Sequence, residues 1–388
     1  MEKPKDIFGF LDGVRKTSVS DEQIYNKVSV FLEQKARESC VPFRGTFELT
    51  PLCNLDCKMC YVHLNEVQMR GRKLLSSDKW ICLMNQAIEA GMSKATLTGG
   101  ECLTYPYFDD VYLFLKSKGI LITVKTNGVL LDSNRIDFFR NNPPSALLVS
   151  LYGNSDKVYE KVTGSRVFWN VLNNIQMAKK ANLPVTIMIT PNSYMGETIK
   201  ETIQFVKGLD IPYVINSTLM TPRLDTQKEK EEYDLTIDQY IDILLFDSAI
   251  NNFVLQKNES AHKCELFPKE DKCKSQYELS GIKCGAGKSS FSITWDGYMC
   301  PCILMDNVKD NPIENGFASS WEHINREMNR FPTFVKCKQC AYSQACAYCA
   351  AENEKMGSKY LLDNMWCQRT WKMIESGLIS HDYRCGER

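Results

Sequence analysis

Cys53-Asn54-Leu55-Asp56-Cys57-Lys58-Met59-Cys60 carries three thiols in one short stretch, spaced by three residues and then by two. One folded loop at that spacing can close three thiolates onto one face of a metal cluster. No fourth thiol follows nearby, which leaves one metal position open, and an open metal position is a reaction site. Zinc is the competing reading. Structural zinc usually takes four ligands from two separated pairs, and the only further donor close by is His63.

Working outward, Thr46–Thr50 reads as a strand feeding the loop. Ser77–Ala90 reads as a helix with Ser77 as its cap, and Ala95–Thr98 as a strand ending in Gly99-Gly100. The alternation continues through helix Tyr107–Lys118, strand Leu121–Thr126, helix Asp132–Asn141 stopped by Pro143-Pro144, and strand Ala146–Leu151. Helix Asn170–Ala181, strand Val185–Ile189, helix Glu197–Lys207 and strand Tyr213–Ile215 complete six units. Such alternation implies a parallel sheet with right-handed crossovers. Polar and glycine signals fall just past the strand ends, at the cysteine loop, Gly99-Gly100-Glu101, Thr126-Asn127-Gly128, Ser150 and Asn216. Ligands of parallel α/β folds sit at that edge. The expected fold is α/β, a partial (β/α)6 TIM-like barrel. Before it, Asp21–Arg37 reads as an amphipathic helix through Ile24, Val28, Phe31 and Leu32, capped by Ser20 or Asp21. After it, Asp225–Asp234 reads as a charged loop and Ile237–Ile250 as one more helix.

The 388 residues suit a barrel plus an appendage. Zero formal net charge offers no basic footprint for nucleic acid. No apolar run reaches a membrane span, and the first residues lack a signal peptide's apolar core, so a cytoplasmic address is expected. Seventeen cysteines and four histidines then favour clustered thiolate sites, iron–sulfur ahead of zinc, over a disulfide framework.

Cys53-x3-Cys57-x2-Cys60 after the first strand, Gly99-Gly100-Glu101 after the second and the barrel-like alternation together resemble the radical S-adenosylmethionine (SAM) superfamily. The resemblance covers roughly residues 45–245. It implies that Cys53, Cys57 and Cys60 bind a 4Fe–4S cluster whose fourth iron is chelated by SAM, and that reductive cleavage of SAM gives a 5′-deoxyadenosyl radical. Gly99 and Gly100 would let the backbone approach the methionine moiety. Glu101 would accept from the SAM ammonium, Ser150 and Arg166 would meet its carboxylate, and Tyr61 and Met59 would pack near the adenine. Two positions depart from the family's habit: Met59 stands where an aromatic is frequent, and Cys102 where proline often follows Gly-Gly-Glu.

Toward the C-terminus the pattern is Cys284, Gly297-x4-Cys302, Cys337-x2-Cys340-x5-Cys346-x2-Cys349 and Cys367. A zinc ribbon would separate its two pairs by about 15–20 residues, against five here. The arrangement resembles the SPASM domain, an auxiliary-cluster extension of some radical SAM enzymes. That resemblance implies two further 4Fe–4S clusters, the outer held by Cys337, Cys340, Cys346 and Cys367, the inner by Cys284, Cys302 and Cys349. A fourth inner ligand would fall at Ser290, which is no thiol, so the inner cluster has an open iron or uses Cys300. The expected division is an N-terminal helical extension (1–44), a radical SAM core (45–245), a connector (246–281) and a SPASM-type domain with a C-terminal helix (282–388).

An auxiliary cluster can accept the electron left over when a carbon radical forms a new bond. The expectation is therefore a maturase that abstracts hydrogen from a ribosomally made precursor peptide and forms an oxidative cross-link, thioether or carbon–carbon. Its implied partners are the peptide, a flavodoxin- or ferredoxin-type reductant and, the first 44 residues being short for a recognition module, a separate peptide-recognition protein. An anaerobic sulfatase-maturing enzyme shares the layout but carries an aspartate base after the second SPASM cysteine, where Ile303 stands here. A tailoring enzyme for a cofactor precursor and a non-catalytic iron–sulfur carrier complete the alternatives.

Overall fold

The computed structural model describes residues 21–379 apart from 66, 217–218, 220–231, 251–271, 274–276, 280, 341, 344–345, 356–358, 361 and 364. Part of the expected charged loop, most of the expected connector, Ser20, Cys264 and Cys385 thus lie outside the described residues.

Six strands run in chain order: β1 (Arg44–Glu48), β2 (Lys94–Thr98), β3 (Leu121–Thr126), β4 (Ala146–Leu151), β5 (Val185–Ile189) and β6 (Tyr213–Ile215). All neighbouring pairs are parallel. The crossovers carry helices α1 (Asp21–Glu38) before β1, α2 (Ser77–Glu89), α3 (Phe108–Ser117), α4 (Ser133–Asn141), α5 (Asp156–Thr163), α6 (Phe168–Lys180), α7 (Thr198–Lys207) and, after β6, α8 (Ile237–Ile250). Buried and half-buried residues alternate strictly along β3, as a sheet covered by helices requires.

Two local readings are corrected. Ser76, not Ser77, caps α2, its hydroxyl accepting from the Lys79 N–H. Helix α5 also escaped the sequence reading, although Ser155 caps it and Gly164, at φ 74°, ends it in the left-handed region where glycine is favoured.

The sheet does not stop at β1. After the short strands β7 (Lys272–Cys273) and β8 (Tyr277–Leu279), β9 (Ser290–Ile293) pairs parallel with β1, and β10 (Met299–Cys300) pairs antiparallel with β9. The expected C-terminal domain thus shares the barrel's own sheet. The cause is the free edge of β1, whose unpaired backbone groups accept another strand. Phe291 of β9 packs edge-on against Phe47 of β1, ring centroids 5.8 Å apart, and Phe47 meets Trp80 of α2 at 6.1 Å. Beyond β10 come α9 (Pro312–Asn315), α10 (Phe317–Asn329), β11 (Pro332–Phe334, paired with β8), α11 (Val335–Gln339), α12 (Ala350–Lys355), β12 (Leu362–Asp363, paired with β7) and α13 (Met365–Glu375).

Candidate functional site

The cysteine loop hangs between two clamps at the C-terminal edge of the sheet. On one side the Gly100 N–H donates to the Thr50 carbonyl at 2.7 Å, and the Glu101 N–H to the Leu52 carbonyl at 2.9 Å. A Cβ on Gly99 would lie 2.3 Å from the Thr50 oxygen, and one on Gly100 2.3 Å from the Leu52 oxygen. The two glycines therefore let the loop's own backbone approach, which is a reason for glycine distinct from the one expected. On the other side the Asp56 and Lys58 N–H groups donate to the carbonyls of Thr163 and Val162, at the end of α5.

Polar groups converge on the sulfurs so held. The Leu55 N–H lies 3.4 Å from Cys53 Sγ, the His63 N–H 3.2 Å from Cys60 Sγ and Asn127 Nδ2 3.5 Å from Cys53 Sγ. Burial pushes the Cys53 thiol up to about 12, with the charges of Glu101 and Cys60 adding and the Leu55 N–H and Asn127 opposing. A buried thiol of this kind ionises only when a cation shares the site, which is what iron supplies.

Glu101 is 1% exposed. Its Oε1 accepts from the Thr126 hydroxyl at 2.8 Å and the Leu103 N–H at 3.1 Å, and its Oε2 from the Asn127 N–H at 2.7 Å. Burial raises its pKa, against those three bonds and a weaker one from Cys102. None of the four donors is a cation. A buried carboxylate with neutral partners and a remaining acceptor position on Oε2 fits an ammonium. Thr126 and Asn127 were legible only as a polar strand end; that they fix Glu101 depends on β2 and β3 being neighbours.

Ser150 is buried at the end of β4, and its side chain hydrogen-bonds the Tyr152 hydroxyl. Met59 is buried in the same apolar cluster as Cys57, and Tyr61 is half-buried. Arg166 is not drawn in with the others: its side chain is 64% exposed and pairs with Glu160 at 3.4 Å.

The seven C-terminal thiols line one cavity of about 820 Å³. Within it they fall into two groups. Burial pushes Cys302 up to about 12, with Cys284 and Cys349 as the thiols that add to it. Burial does the same to Cys337, and there the contributing thiols are Cys367, Cys346 and Cys340. The Tyr348 phenol feels Cys337, Cys349 and Cys346 and so stands between the groups. Arg37, Lys283, Lys336 and Lys338 also line the cavity, and among the described residues no acidic one does, so this wall can offset thiolate charge. Cys300, 1% exposed in β10, is not among its lining residues. Among the described residues no three His, Cys, Asp or Glu side chains are arranged to hold a single metal ion.

Residues 47–206 match the family described as the Radical SAM superfamily. Sporulation killing factor maturation protein SkfB of Bacillus subtilis (strain 168) is 23% identical over 289 residues, 72% of this chain, which spans only 65% of that relative. AdoMet-dependent heme synthase of Methanosarcina barkeri (strain Fusaro / DSM 804) is 24% identical over 83% of this chain and 95% of its own. Streptococcus suis SuiB bound to S-adenosylmethionine shares the fold, with TM-score 0.66 at 17% identity over 93% of this chain and 86% of SuiB. A second SuiB structure, bound to precursor peptide SuiA, gives 0.66 at 19% identity over 93% of this chain and 87% of its own. Residues 47–206 thus carry a radical SAM domain, and the protein is an enzyme. That family implies a 4Fe–4S cluster and SAM, and the buried thiols and the neutral-partnered carboxylate at the sheet edge suit both.

Proposed function

We propose that this enzyme matures a ribosomally made precursor peptide by forming an oxidative cross-link, a thioether or a carbon–carbon bond. The observation that carries the proposal is the division of the C-terminal thiols into a group of three and a group of four in one cavity. The likeness to SkfB, a killing-factor maturation protein, and to SuiB, seen with a precursor peptide, supports it.

When bound, the cluster and SAM supply a hydrogen-abstracting radical, and auxiliary clusters supply an acceptor for the electron left over. The chain's residues do the rest. Cys53, Cys57 and Cys60 hold the radical cluster, while the N–H groups of Leu55 and His63 and the Asn127 amide favour their thiolate form. Glu101 binds the SAM ammonium, held rigid by Thr126, Asn127 and Leu103. Ser150 meets the SAM carboxylate, with Arg166 turning from Glu160 as its second contact, and Met59 and Tyr61 flank the adenine. Cys337, Cys340, Cys346 and Cys367 would hold the outer auxiliary cluster and Cys284, Cys302 and Cys349 the inner one, which with three protein ligands would supply a binding position for a peptide thiolate.

A cross-link that replaces two bonds to hydrogen by one new bond lightens the peptide by two hydrogens. Anaerobic incubation of reduced enzyme with SAM and the peptide encoded beside it should show that loss by mass spectrometry. SAM cleavage with an unchanged peptide mass would count against the proposal. The likeness to AdoMet-dependent heme synthase, covering 95% of that relative, favours a second reading, tailoring of a cofactor precursor. A porphyrin-type substrate altered under the same conditions, with the peptide untouched, would favour it.

A further inference from the structure

The inner wall of the barrel carries an ammonium that the site described above does not use. Phe47 of β1 packs on Trp80 of α2, which marks its side of the sheet as the helix-covered one. The register continues that side through Leu97, Val124, Leu147 and Val185, all buried. Strand neighbours alternate faces, so Thr96, Thr123, Lys125, Leu148, Thr186 and Met188 line the lumen. All six are half-buried, and Val214, which pairs with Met188 on the last strand of the sheet, is 47% exposed. A closed barrel fills its lumen with branched apolar side chains. Here half of those six residues are threonine, and the lumen reaches solvent. Lys125 lies beside Leu148 in the register, and the next residues along the same face are Asn127 and Ser150, about 6.6 Å on. Lys125 thus stands one step inside the edge where Asn127 Nδ2 meets Cys53 Sγ at 3.5 Å. Among the described residues its ammonium has neither a hydrogen bond nor an ion pair. Glu48, on the same face, lies beyond β2, and no ion pair joins the two.

We propose that Lys125 is a carboxylate-binding site for the substrate: its ammonium pairs with a carboxylate of the precursor peptide and holds that peptide in the lumen, next to the SAM pocket. An ammonium taken partly out of water without a partner is costly. A carboxylate brought in by the substrate removes that cost with a charge-assisted bond. Burial, and then the charge of Arg44, disfavour the charged form of Lys125, so this position favours an added negative charge. The hydroxyls of Thr96 and Thr123, paired one step further in, are donors for the carboxylate's remaining lone pairs. The carboxylate comes from an acidic side chain or from the peptide's C-terminus. The inference rests on the peptide reading above and names the group by which the lumen recognises the peptide.

The test is anaerobic calorimetry of the peptide encoded beside the enzyme, titrated into reconstituted, SAM-loaded protein. Lys125→Met keeps much of the apolar stem and removes the charge. It should weaken peptide binding roughly 10- to 150-fold, at full iron content and unchanged SAM affinity. Lys125→Arg should restore most of the loss. Exchanging each acidic residue of the peptide for its amide, and amidating the C-terminus, finds the partner. One such peptide should bind the unaltered enzyme weakly, and Lys125→Met no worse than the parent peptide does. Equal peptide affinity in Lys125→Met and the unaltered enzyme, or no peptide showing that coupling, overturns the proposal. A fall in SAM affinity with peptide affinity kept assigns Lys125 to the SAM carboxylate and overturns it as well. Failure of the unaltered enzyme to bind the peptide sinks the peptide reading itself, and the inference with it.

Discussion

Exchanging Glu101 for glutamine keeps the side chain's shape and removes its charge. A hydrogen bond to a charged group contributes about 1.5–3 kcal/mol, so SAM binding should weaken roughly 10- to 150-fold, measured by anaerobic equilibrium dialysis. Glutamine also offers one acceptor oxygen where the Asn127 and Leu103 N–H groups and the Thr126 hydroxyl need two. A donor left facing the amide NH2 costs a further ~1–3 kcal/mol of stability, visible in the urea midpoint. Gly100→Ala separates the glycine's two possible roles. With its Cβ 2.3 Å from the Leu52 carbonyl, the backbone must shift. The apo-protein should lose about 1–3 kcal/mol before any cofactor is added. If apo stability is unchanged and SAM affinity alone falls, the glycine serves the methionine moiety instead. The sequence singled out both glycines but not the carbonyls they make room for, because the approach is between segments some 50 positions apart.

At the scale of elements, α1 is tied to the start of the barrel by Glu33, which pairs with Lys94 of β2 at 2.7 Å and with Arg44 of β1. Burial alone would raise the Glu33 carboxyl, but hydrogen bonds from Lys94 and Arg44 outweigh it and hold it below its ordinary range. Its folded pKa thus lies below the unfolded value of about 4.3. The contribution to stability is complete above that pH and is lost as pH falls through the folded value. The Glu33 side chain is 34% exposed, so the amount is about 1 kcal/mol or less after solvent screening. Protection factors in α1, observed exchange divided into the intrinsic rate at each pH, should fall on acidification of the native protein, and Glu33→Gln should lose that pH response. The other edge of the barrel turns on Phe291: Phe291→Ala should cost about 3–5 kcal/mol through the emptied contact with Phe47, read as a lowered thermal midpoint. Strands β3 to β6 were legible residue for residue, since each is a short apolar run bounded by glycine, proline or asparagine. Strands β9 and β10 were not recognised as part of the sheet. Cysteine density around them suggested a separate unit, and pairing across more than 200 residues leaves no periodic signal.

For the whole molecule, the same long-range contacts decide which thiols lie near one another. Spacing alone allowed Cys337, Cys340, Cys346 and Cys349 to act as one run. The fold sends Cys349 toward Cys284 and Cys302 and brings Cys367 of α13 to the other three. This grouping is the ground for the two auxiliary clusters proposed above. The most direct test is iron quantitation with EPR on reconstituted protein and two variants. The expected result is about twelve irons per chain, four per cluster. Cys337→Ala/Cys340→Ala should lose about four of them, and Cys302→Ala/Cys349→Ala a different four, with the SAM-induced change in the EPR signal kept in both. Loss of the same signal in both variants, or about four irons in the unaltered protein, would contradict it.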